Sequence, residues 1–235
     1  MISDIAYYSS RGGRMANQDA VKVVKSPDCI LMIVADGMGG KAGGELASRE
    51  AVMSVERSLA GQPVSADNLY DAVAAANQDV IACTKDLSPR TTLAVLWADR
   101  EQALAATVGD TRIYQFRSGG IRFQSVDHTV AQMSVLAGEM EPDKLRASDE
   151  RFRLLQALGS EDGVRAEMNS LDVEEGDAFL ICTDGFWEYV LEQDMIKELE
   201  QAENTRQWLE SMKARVRENQ PQRGDNHSAV AVMIG

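Results

Sequence analysis

The amino-acid sequence predicts an α+β fold in which two antiparallel β-sheets pack together between outer layers of helices. Three observations support this prediction: apolar β-type runs recur along the chain, tight turns join neighbouring runs, and amphipathic helical segments stand between them and near the end. Tight turns make consecutive strands antiparallel, and helices must then cover the outer faces of the sheets. No linker rich in Pro, Gly or Ser divides the 235 residues, so residues 1–235 are expected to form one domain.

The predicted strands are runs rich in aliphatic and β-branched residues. The long apolar runs are Ile30–Ala35, Ala103–Val108, Ala178–Cys182 and Ala229–Ile234. Shorter strands neighbour them across predicted turns: Val21–Val24, Thr92–Trp97, Ile113–Phe116 and Ile121–Gln124. The clearest turn is Arg117-Ser118-Gly119-Gly120, whose paired glycines between two strands predict a hairpin.

Amphipathic segments predict the helices Gly43–Ala60, Leu69–Leu87, Glu192–Gln201 and Thr205–Glu218. In the second of these, Leu69, Val73, Ala76 and Val80 follow one another at spacings of four, three and four residues. That spacing places them on one face of a helix, which is typical of a helix that buries one side against a sheet.

The composition excludes several classes of function. A net charge of −13 repels nucleic acid and anionic membrane surfaces, so no binding to either is expected. No apolar run approaches the ~20 residues of a membrane helix. Met1–Asp4 lacks the basic and apolar segments of a signal peptide, so a cytoplasmic location is expected.

The scarcity of histidine and cysteine also limits the chemistry. His128 and His227 are the only histidines, which leaves little material for a Ser-His-Asp triad or a His-rich metal site. Cys29, Cys83 and Cys182 stand among apolar neighbours without a CxxC pair. They are expected to be buried, reduced thiols.

Aspartates from distant parts of the chain are predicted to share one edge of the sheets: Asp19, Asp36, Asp110, Asp184 and Asp225. When the hairpins are folded about their turns, Asp19 and Asp36 fall at the same open end, and Asp110 lies near Thr91 and Thr92. Asp184 follows one strand, and Asp225 precedes the last strand.

Carboxylates gathered at one edge repel one another unless cations neutralise them, and oxygen ligands favour Mg²⁺ or Mn²⁺ over zinc. Glycine neighbours the acid in Asp36-Gly37, Gly109-Asp110 and Asp184-Gly185. The missing side chain permits close approach of the backbone, including a carbonyl oxygen as a ligand. A single Asp-Gly pair more often marks a turn, but several at strand ends favour a metal site.

The segment Ile30–Gly44 also fits a dinucleotide fingerprint, because Gly37, Gly39 and Ala42 follow a strand with GxGxxA spacing. However, Asp36 would face the pyrophosphate with like charge, and a second helix follows where a βαβ unit requires a strand. A nucleotide-binding redox domain is therefore disfavoured. A P-loop is excluded because Ala35 occupies the first glycine position.

The acid-bearing motifs, in chain order, are Arg14–Asp19, Asp36–Gly40, Gly109–Arg112, Asp184–Trp187 and Asp225–Asn226. As an ordered set they resemble the metal-dependent protein phosphatase family, the type 2C serine/threonine phosphatases, in its bacterial stand-alone form. The resemblance implies an αββα sandwich and an enzyme that hydrolyses phosphoserine and phosphothreonine, opposing a bacterial Ser/Thr kinase. The short chain and the segment Asp184–Glu188 are also similar to phosphatases associated with type VI secretion.

The resemblance implies roles for the acids. Asp36 would bridge two metal ions, Mn²⁺ or Mg²⁺, with the Gly37 carbonyl bound to the second. Asp184 and Asp225 would complete the shell of the first ion, and Asp19 would act mainly through metal-bound water.

It also implies the catalytic residues. Asp110, together with Asp184, would hold a third, weaker ion. Arg14 would bind the phosphate oxygens, which suits a guanidinium. Arg14, Asp36 and Asp184 are therefore predicted to be catalytic, with a metal-bridging water attacking the phosphorus directly.

The sequence departs from the family pattern in two places. Met38 and Lys41 stand where many members carry a histidine that is suggested as the leaving-group acid, so the proton donor is either a metal-bound water or Lys41. Arg90 replaces a glycine before Thr91-Thr92 and either lines the site or faces solvent.

The span 129–158 resembles the variable flap beside the family's active site. It is expected either to be mobile and in contact with substrate or to form a solvated surface helix pair. His128 is expected to make structural hydrogen bonds, and His227 stands close to Asp225.

A phosphorylated protein substrate, a partner kinase pathway and a monomeric state are expected. A catalytically silent binding module on the same fold is the alternative, disfavoured by the presence of all five acids and Arg14.

Overall fold

The computed structural model describes residues 2–27, 29–39, 43–83, 89–99 and 101–235. In chain order the strands are β1 (Ile2–Ser10), β2 (Asp19–Lys25), β3 (Ile30–Met38), β4 (Arg90–Thr91), β5 (Leu93–Ala98), β6 (Gln102–Val108), β7 (Arg112–Arg117), β8 (Gly120–Gln124), β9 (Glu167–Asp172), β10 (Ala178–Cys182) and β11 (His227–Ile234). The α-helices are α1 (Gly43–Leu59), α2 (Ala66–Cys83), α3 (Val130–Leu136), α4 (Asp184–Trp187), α5 (Glu192–Gln201) and α6 (Thr205–Asn219). Short 3₁₀ helices occupy Pro142–Ala147 and Asp149–Phe152.

The strands form two antiparallel sheets. One has the spatial order β1-β11-β10-β7-β8 and the other β2-β3-β5-β6-β9, with β4 paired to the end of β3. The predicted turns join β2 to β3, β5 to β6 and β7 to β8 as antiparallel neighbours. Helices α1 and α2 cover one sheet, and α5 and α6 cover the other. The predicted αββα sandwich is therefore confirmed.

Strand β3 shows how the layers are joined. Met32 and Val34 contribute to the apolar cluster between the two sheets, whereas Ile33 and Ala35 pack in the cluster formed with α1 and α2. Successive strand side chains point to opposite faces, and both faces of β3 are buried. The strand therefore reads as a continuous apolar run rather than an alternating one.

Polar strands lie at the edges of the sheets, and the sequence did not predict two of them, β1 and β9. Strand β9 reads Glu-Met-Asn-Ser-Leu-Asp and pairs with β6 at one edge, while β1 pairs with β11 at another. An edge strand keeps contact with water, so it needs fewer apolar residues and gives a weaker signal. Strand β2, a third edge, carries Lys22 and Lys25.

Two further differences concern α2 and the thiols. Helix α2 begins at Ala66 rather than Leu69, and the predicted end at Leu87 lies outside the described residues. The expectation of three buried thiols is wrong: Cys182 is buried, Cys29 is partly exposed and Cys83 is exposed. Cys83 ends α2 beyond Val80, the last member of the α2 stripe in the core cluster.

The span 129–158, which was predicted to be the flap and keeps that name below, contains α3 and the two 3₁₀ helices. Arg146 pairs with Glu192 and Arg151 with Glu188, each with a nitrogen–oxygen distance of 2.7 Å. The flap is thus attached by ion pairs to the segment that carries α4 and α5.

None of the helices in the described part of the chain has the length and apolar character needed to cross a bilayer.

Candidate metal centre and active site

A cleft of about 400 Å³ lies at the edge where the acids were predicted to meet. The predicted site residues that line it are Arg14, Asp36, Gly37, Asp110, Asp184 and Asp225. The remaining lining comes from Met15, Ala16, Gln18, Met38, Gly39, Phe152, Leu154 and Asn226. The fold therefore brings together six residues that are separated by up to 211 positions in the chain.

Asp36 lies within β3, where hydrogen bonds hold its backbone firmly. Its N–H donates to the Thr92 hydroxyl at 2.9 Å, and its carbonyl accepts from the Thr91 hydroxyl at 2.9 Å and from the Thr92 N–H at 2.8 Å. Asp19 on β2 is directly opposite Asp36 in the antiparallel register, as was predicted by folding the hairpin about its turn. A central strand and its neighbour thus present two acids side by side.

Asp19 differs from the other acids because it does not line the cleft. It is 8% exposed, and its Oδ2 accepts a hydrogen bond from the Thr183 hydroxyl at 3.1 Å. Its Oδ1 is buried and has no hydrogen-bond partner among the described residues. Asp19 thus lies behind the acids that face the opening, with one oxygen free to accept a further donor or a cation.

Asp184 and Asp110 are linked through the short helix α4. Asp184 is the first residue of α4, and its Oδ1 accepts from the Gly185 N–H at 2.6 Å. One turn later, the Trp187 indole N–H donates to the Asp110 carbonyl at 2.9 Å. Trp187 therefore fixes the separation between the two segments that carry these acids, a role that the sequence motif alone did not reveal.

Arg14 and Asp225 form a bidentate ion pair at the mouth of the cleft. The Arg14 Nε donates to Oδ1 at 2.9 Å and Nη2 to Oδ2 at 2.6 Å. The pair is half exposed, with side-chain accessibilities of 56% and 41%. The guanidinium that was predicted to bind phosphate thus binds the carboxylate that was predicted to bind metal.

Asn226 joins the loops on both sides of the cleft, a role that its place next to Asp225 in the sequence did not predict. Its side-chain oxygen accepts from the Gln18 N–H at 2.8 Å. Its amide nitrogen donates to the carbonyls of Arg11 at 2.8 Å and Ala16 at 2.9 Å. The loop that carries Arg14 is therefore held by three hydrogen bonds from one buried side chain.

Burial and mutual repulsion dominate the electrostatics of the cluster. Burial raises the pKa of Asp36 well above the usual carboxyl range, and the nearby charges of Asp19 and Asp184 raise it further. Burial also raises the pKa of Asp184, with Asp110 as the largest neighbouring charge. Removing carboxylates from water disfavours their charged form. The cluster therefore favours binding of positive charge, as protons or as metal cations.

The donor set fits divalent cations that prefer oxygen. The acids supply carboxylate oxygens, Gly37 lines the cleft beside them, and the Oδ1 of Asp19 is buried without a partner among the described residues. Among the described residues, no group of three or more Asp, Glu, His or Cys side chains is already arranged to hold an ion. Asp225 in particular is directed towards Arg14. Metal binding by this cluster therefore requires side chains such as Asp225 to rotate on a fixed backbone.

The remaining candidates have separate places. The His128 Nδ1 accepts from the Gly109 N–H at 3.2 Å, so His128 supports the turn before Asp110. His227 is hydrogen-bonded through Nδ1 to the Tyr8 hydroxyl at 2.9 Å, and burial lowers its pKa to about 4. Lys41 lies outside the described residues. Arg90 is exposed and does not line the acid cleft.

Gly37 is predicted to tolerate no side chain. An added Cβ would overlap the carbonyl oxygen of Gly44 and lie 2.8 Å from the carbonyl oxygen of Gln18. We expect Gly37→Ala to lower the free energy of unfolding by about 1–3 kcal/mol, because backbone must move to accommodate the methyl group. Urea denaturation measures this loss. The control is Gly120→Ala, whose Cβ would approach only the Arg117 carbonyl oxygen, at 3.9 Å. Equal stability of the two variants would contradict the expectation.

Comparisons with known proteins agree with this arrangement. A family model described as Protein phosphatase 2C matches residues 8–227. Protein phosphatase PhpP of Streptococcus pneumoniae is 28% identical over 181 residues, which cover 73% of this chain and 74% of the pneumococcal protein. The catalytic domain of the serine/threonine protein phosphatase PstP, in complex with two manganese ions, superposes with a TM-score of 0.82 and 26% identity over 98% of both chains. PppA, a key regulatory component of the type VI secretion system in Pseudomonas aeruginosa, superposes with a TM-score of 0.80 and 26% identity, over 99% of this chain and 98% of PppA.

Proposed function

Because the chain belongs to the protein phosphatase 2C family, we propose that its acid-lined cleft is where it removes phosphate from phosphoserine and phosphothreonine. The chain is a metal-dependent protein serine/threonine phosphatase, like the relatives it resembles. One observation above all supports the cleft as the active site: four aspartates, Gly37 and Arg14 line a single opening.

The cofactor of this family member is manganese by analogy with PstP, whose structure holds two such ions. For this chain we assign Asp36, Gly37, Asp184 and Asp225 to the two-ion centre, with Asp19 behind it. We also propose that Mg²⁺ can substitute for manganese and that Asp110 with Asp184 holds a third ion. When bound, such a pair of cations lowers the pKa of a water molecule and stabilises the charge that develops on the phosphoryl group.

The protein's own groups bind and orient the substrate. Arg14 presents a planar fork that matches two phosphate oxygens as well as it matches the Asp225 carboxylate. The incoming phosphate therefore competes with Asp225 for Arg14. Met15, Phe152 and Leu154 line the same cleft, and Met15 and Phe152 are exposed, so they can contact the residues that flank the phosphorylated side chain.

Hydrolysis of p-nitrophenyl phosphate and of a phosphothreonine peptide tests the proposal. We expect turnover with Mn²⁺ that falls to background in EDTA and returns when Mn²⁺ is restored in excess. Asp184→Ala should remove it, whereas Asp71→Asn, which changes an exposed acid on α2, should not. Full turnover in EDTA or in Asp184→Ala would refute the assignment. Metal-independent peptide binding without turnover would instead favour the silent binding module.

The proposed activity also implies a cellular setting for the protein. We expect phosphoproteins made by a Ser/Thr kinase as substrates, a cytoplasmic location, a monomer, and one catalytic domain over residues 1–235 with the flap at 129–158. Sedimentation across a hundredfold range of concentration tests the monomer. The similarity to PppA supports a narrower proposal, control of a type VI secretion system, which predicts altered phosphorylation of that system when the gene is deleted.

A further inference from the structure

A second cleft, of about 450 Å³, lies beside the acid-lined cleft. Arg90 and Arg165 line it together with Gln156, Ser160 and Asp162. We call it the arginine cleft. Its lining shares no residue with the acid-lined cleft, so the sequence motifs of the active site do not account for it.

The two guanidinium groups of the arginine cleft are available to a ligand. Neither Arg90 nor Arg165 makes an ion pair with any described residue, and both are exposed. Elsewhere in the same chain, Arg117 is held by three acids. Asp162 also lines the cleft, which leaves one net positive charge there in a protein of net charge −13. A local positive site on such an acidic surface attracts anions selectively.

Buried hydrogen bonds hold the frame of the arginine cleft in place. Asn77 on α2 is 2% exposed. Its side-chain oxygen accepts from the N–H groups of Gly159 at 2.8 Å and Ser160 at 3.1 Å, and its amide donates to the Ser160 carbonyl at 3.0 Å. The side-chain oxygen of Gln156 accepts a hydrogen bond from the backbone N–H of Arg165 at 3.0 Å. The loop that carries Arg165 is thus pre-organised, which reduces the entropy lost on binding.

The two clefts lie next to each other. Arg90 in β4 is directly opposite Met38 in β3, and Met38 lines the acid-lined cleft. On the flap side, Leu154 lines one cleft and Leu155, the next residue, lines the other. An extended peptide advances about 3.3 Å per residue. A peptide whose phosphate enters the acid-lined cleft can therefore reach the arginine cleft with a side chain only a few residues away.

We propose that the arginine cleft is a specificity subsite, which binds an anionic side chain of the substrate a few residues from the phosphate that is hydrolysed. This inference rests on the proposed function of the neighbouring cleft. The ligand is a carboxylate of Asp or Glu or a second phosphate, since a guanidinium binds both through paired hydrogen bonds. Arg90 and Arg165 are then residues that determine which phosphoproteins are preferred.

The test uses phosphothreonine peptides that differ only at one position, scanned from five residues before to five residues after the phosphothreonine. That position carries alanine, glutamate or phosphoserine. We expect kcat/KM of the wild type to rise about tenfold when an anionic residue occupies the correct position. A larger rise with phosphoserine than with glutamate identifies phosphate as the preferred ligand, and equal rises identify any anion.

Matched variants then assign the preference. Arg90→Ala with Arg165→Ala should abolish it while leaving kcat/KM for the alanine peptide and for p-nitrophenyl phosphate unchanged. Asp162→Asn should enlarge it, because a competing carboxylate is removed. Arg206→Ala, an exposed arginine on α6, is the control and should retain the wild-type preference.

Two results would overturn the subsite: a wild type with no preference for anionic peptides, or a double variant that keeps the preference. Failure of the proposed function looks different, since p-nitrophenyl phosphate would then show no metal-dependent hydrolysis at all. Normal hydrolysis of that small substrate in the double variant also demonstrates that the variant is folded.

Discussion

Replacing Asp36 with asparagine is expected to lower kcat/KM for a phosphothreonine peptide by at least about 10³-fold, which corresponds to about 4 kcal/mol of lost transition-state stabilisation. Asparagine keeps the shape of the side chain, and the backbone hydrogen bonds of Asp36 to Thr91 and Thr92 do not involve the carboxylate. The loss therefore reports the carboxylate itself, which we assign to both cations.

The same substitution is expected to raise the melting temperature of the protein in EDTA. Partial removal from water raises the pKa of Asp36, and the charges of Asp19, Asp184 and Asp110 raise it further. A neutral amide removes that repulsion, so activity and stability should change in opposite directions, as is common at strained functional sites. Steady-state kinetics at saturating Mn²⁺ and a thermal melt in EDTA measure the two effects, with Asp71→Asn as the matched control. Activity within tenfold of wild type would show that Asp36 is not a principal ligand.

Replacing Arg112 with methionine is expected to lower the free energy of unfolding by about 3–5 kcal/mol, because it leaves the buried charge of Asp127 without a partner. The guanidinium donates to both Asp127 oxygens, at 2.8 and 2.7 Å, and the two side chains are only 4% and 2% exposed. It also lies 3.6 Å from the centroid of the Trp187 ring. The ion pair thus supports the contact between β7, which follows Asp110, and α4.

A second substitution distinguishes the destabilisation caused by an unpaired Asp127 from the net contribution of the Arg112–Asp127 ion pair to stability. Asp127→Leu combined with Arg112→Met should recover much of the lost stability, since two apolar residues of similar volume can replace a buried ion pair. Arg153→Met is the control, because its pair with Glu150 is exposed and should contribute at most about 1 kcal/mol. Urea unfolding of the four proteins gives the comparison. A loss for Arg112→Met no larger than that of the control would contradict the expectation.

The parts of the fold that the sequence predicted correctly are those with a strong local pattern. The pairing of Asp19 with Asp36 follows from one turn and two apolar runs, so aligning the two strands about that turn predicts it. Helix α5 spans the predicted range Glu192–Gln201, and Met195, Ile196 and Leu199 give it the apolar face that predicts an amphipathic helix. Strand β9 was missed since an edge strand of Glu-Met-Asn-Ser-Leu-Asp has no such pattern.

The parts of the site that the sequence could not predict depend on contacts between distant loops. Arg14 and Asp225 are 211 positions apart, and no periodicity or turn places one opposite the other. The three hydrogen bonds of Asn226 likewise depend on two loops meeting. For Arg90 the sequence left two alternatives, the site or solvent. It is solvent-exposed and lines a second cleft, whose other side includes the loop held by Asn77.

The polar edge strands have a consequence for the protein at high concentration. Both free edges of the second sheet carry charged residues, Lys22 and Lys25 on β2 and Glu167 and Asp172 on β9. An exposed strand edge can pair with the edge of another molecule and start fibrillar aggregation, and charged side chains on such strands oppose that process. The charged residues that weaken the sequence signal of β9 therefore oppose aggregation, and neutralising these edge charges should increase precipitation during refolding.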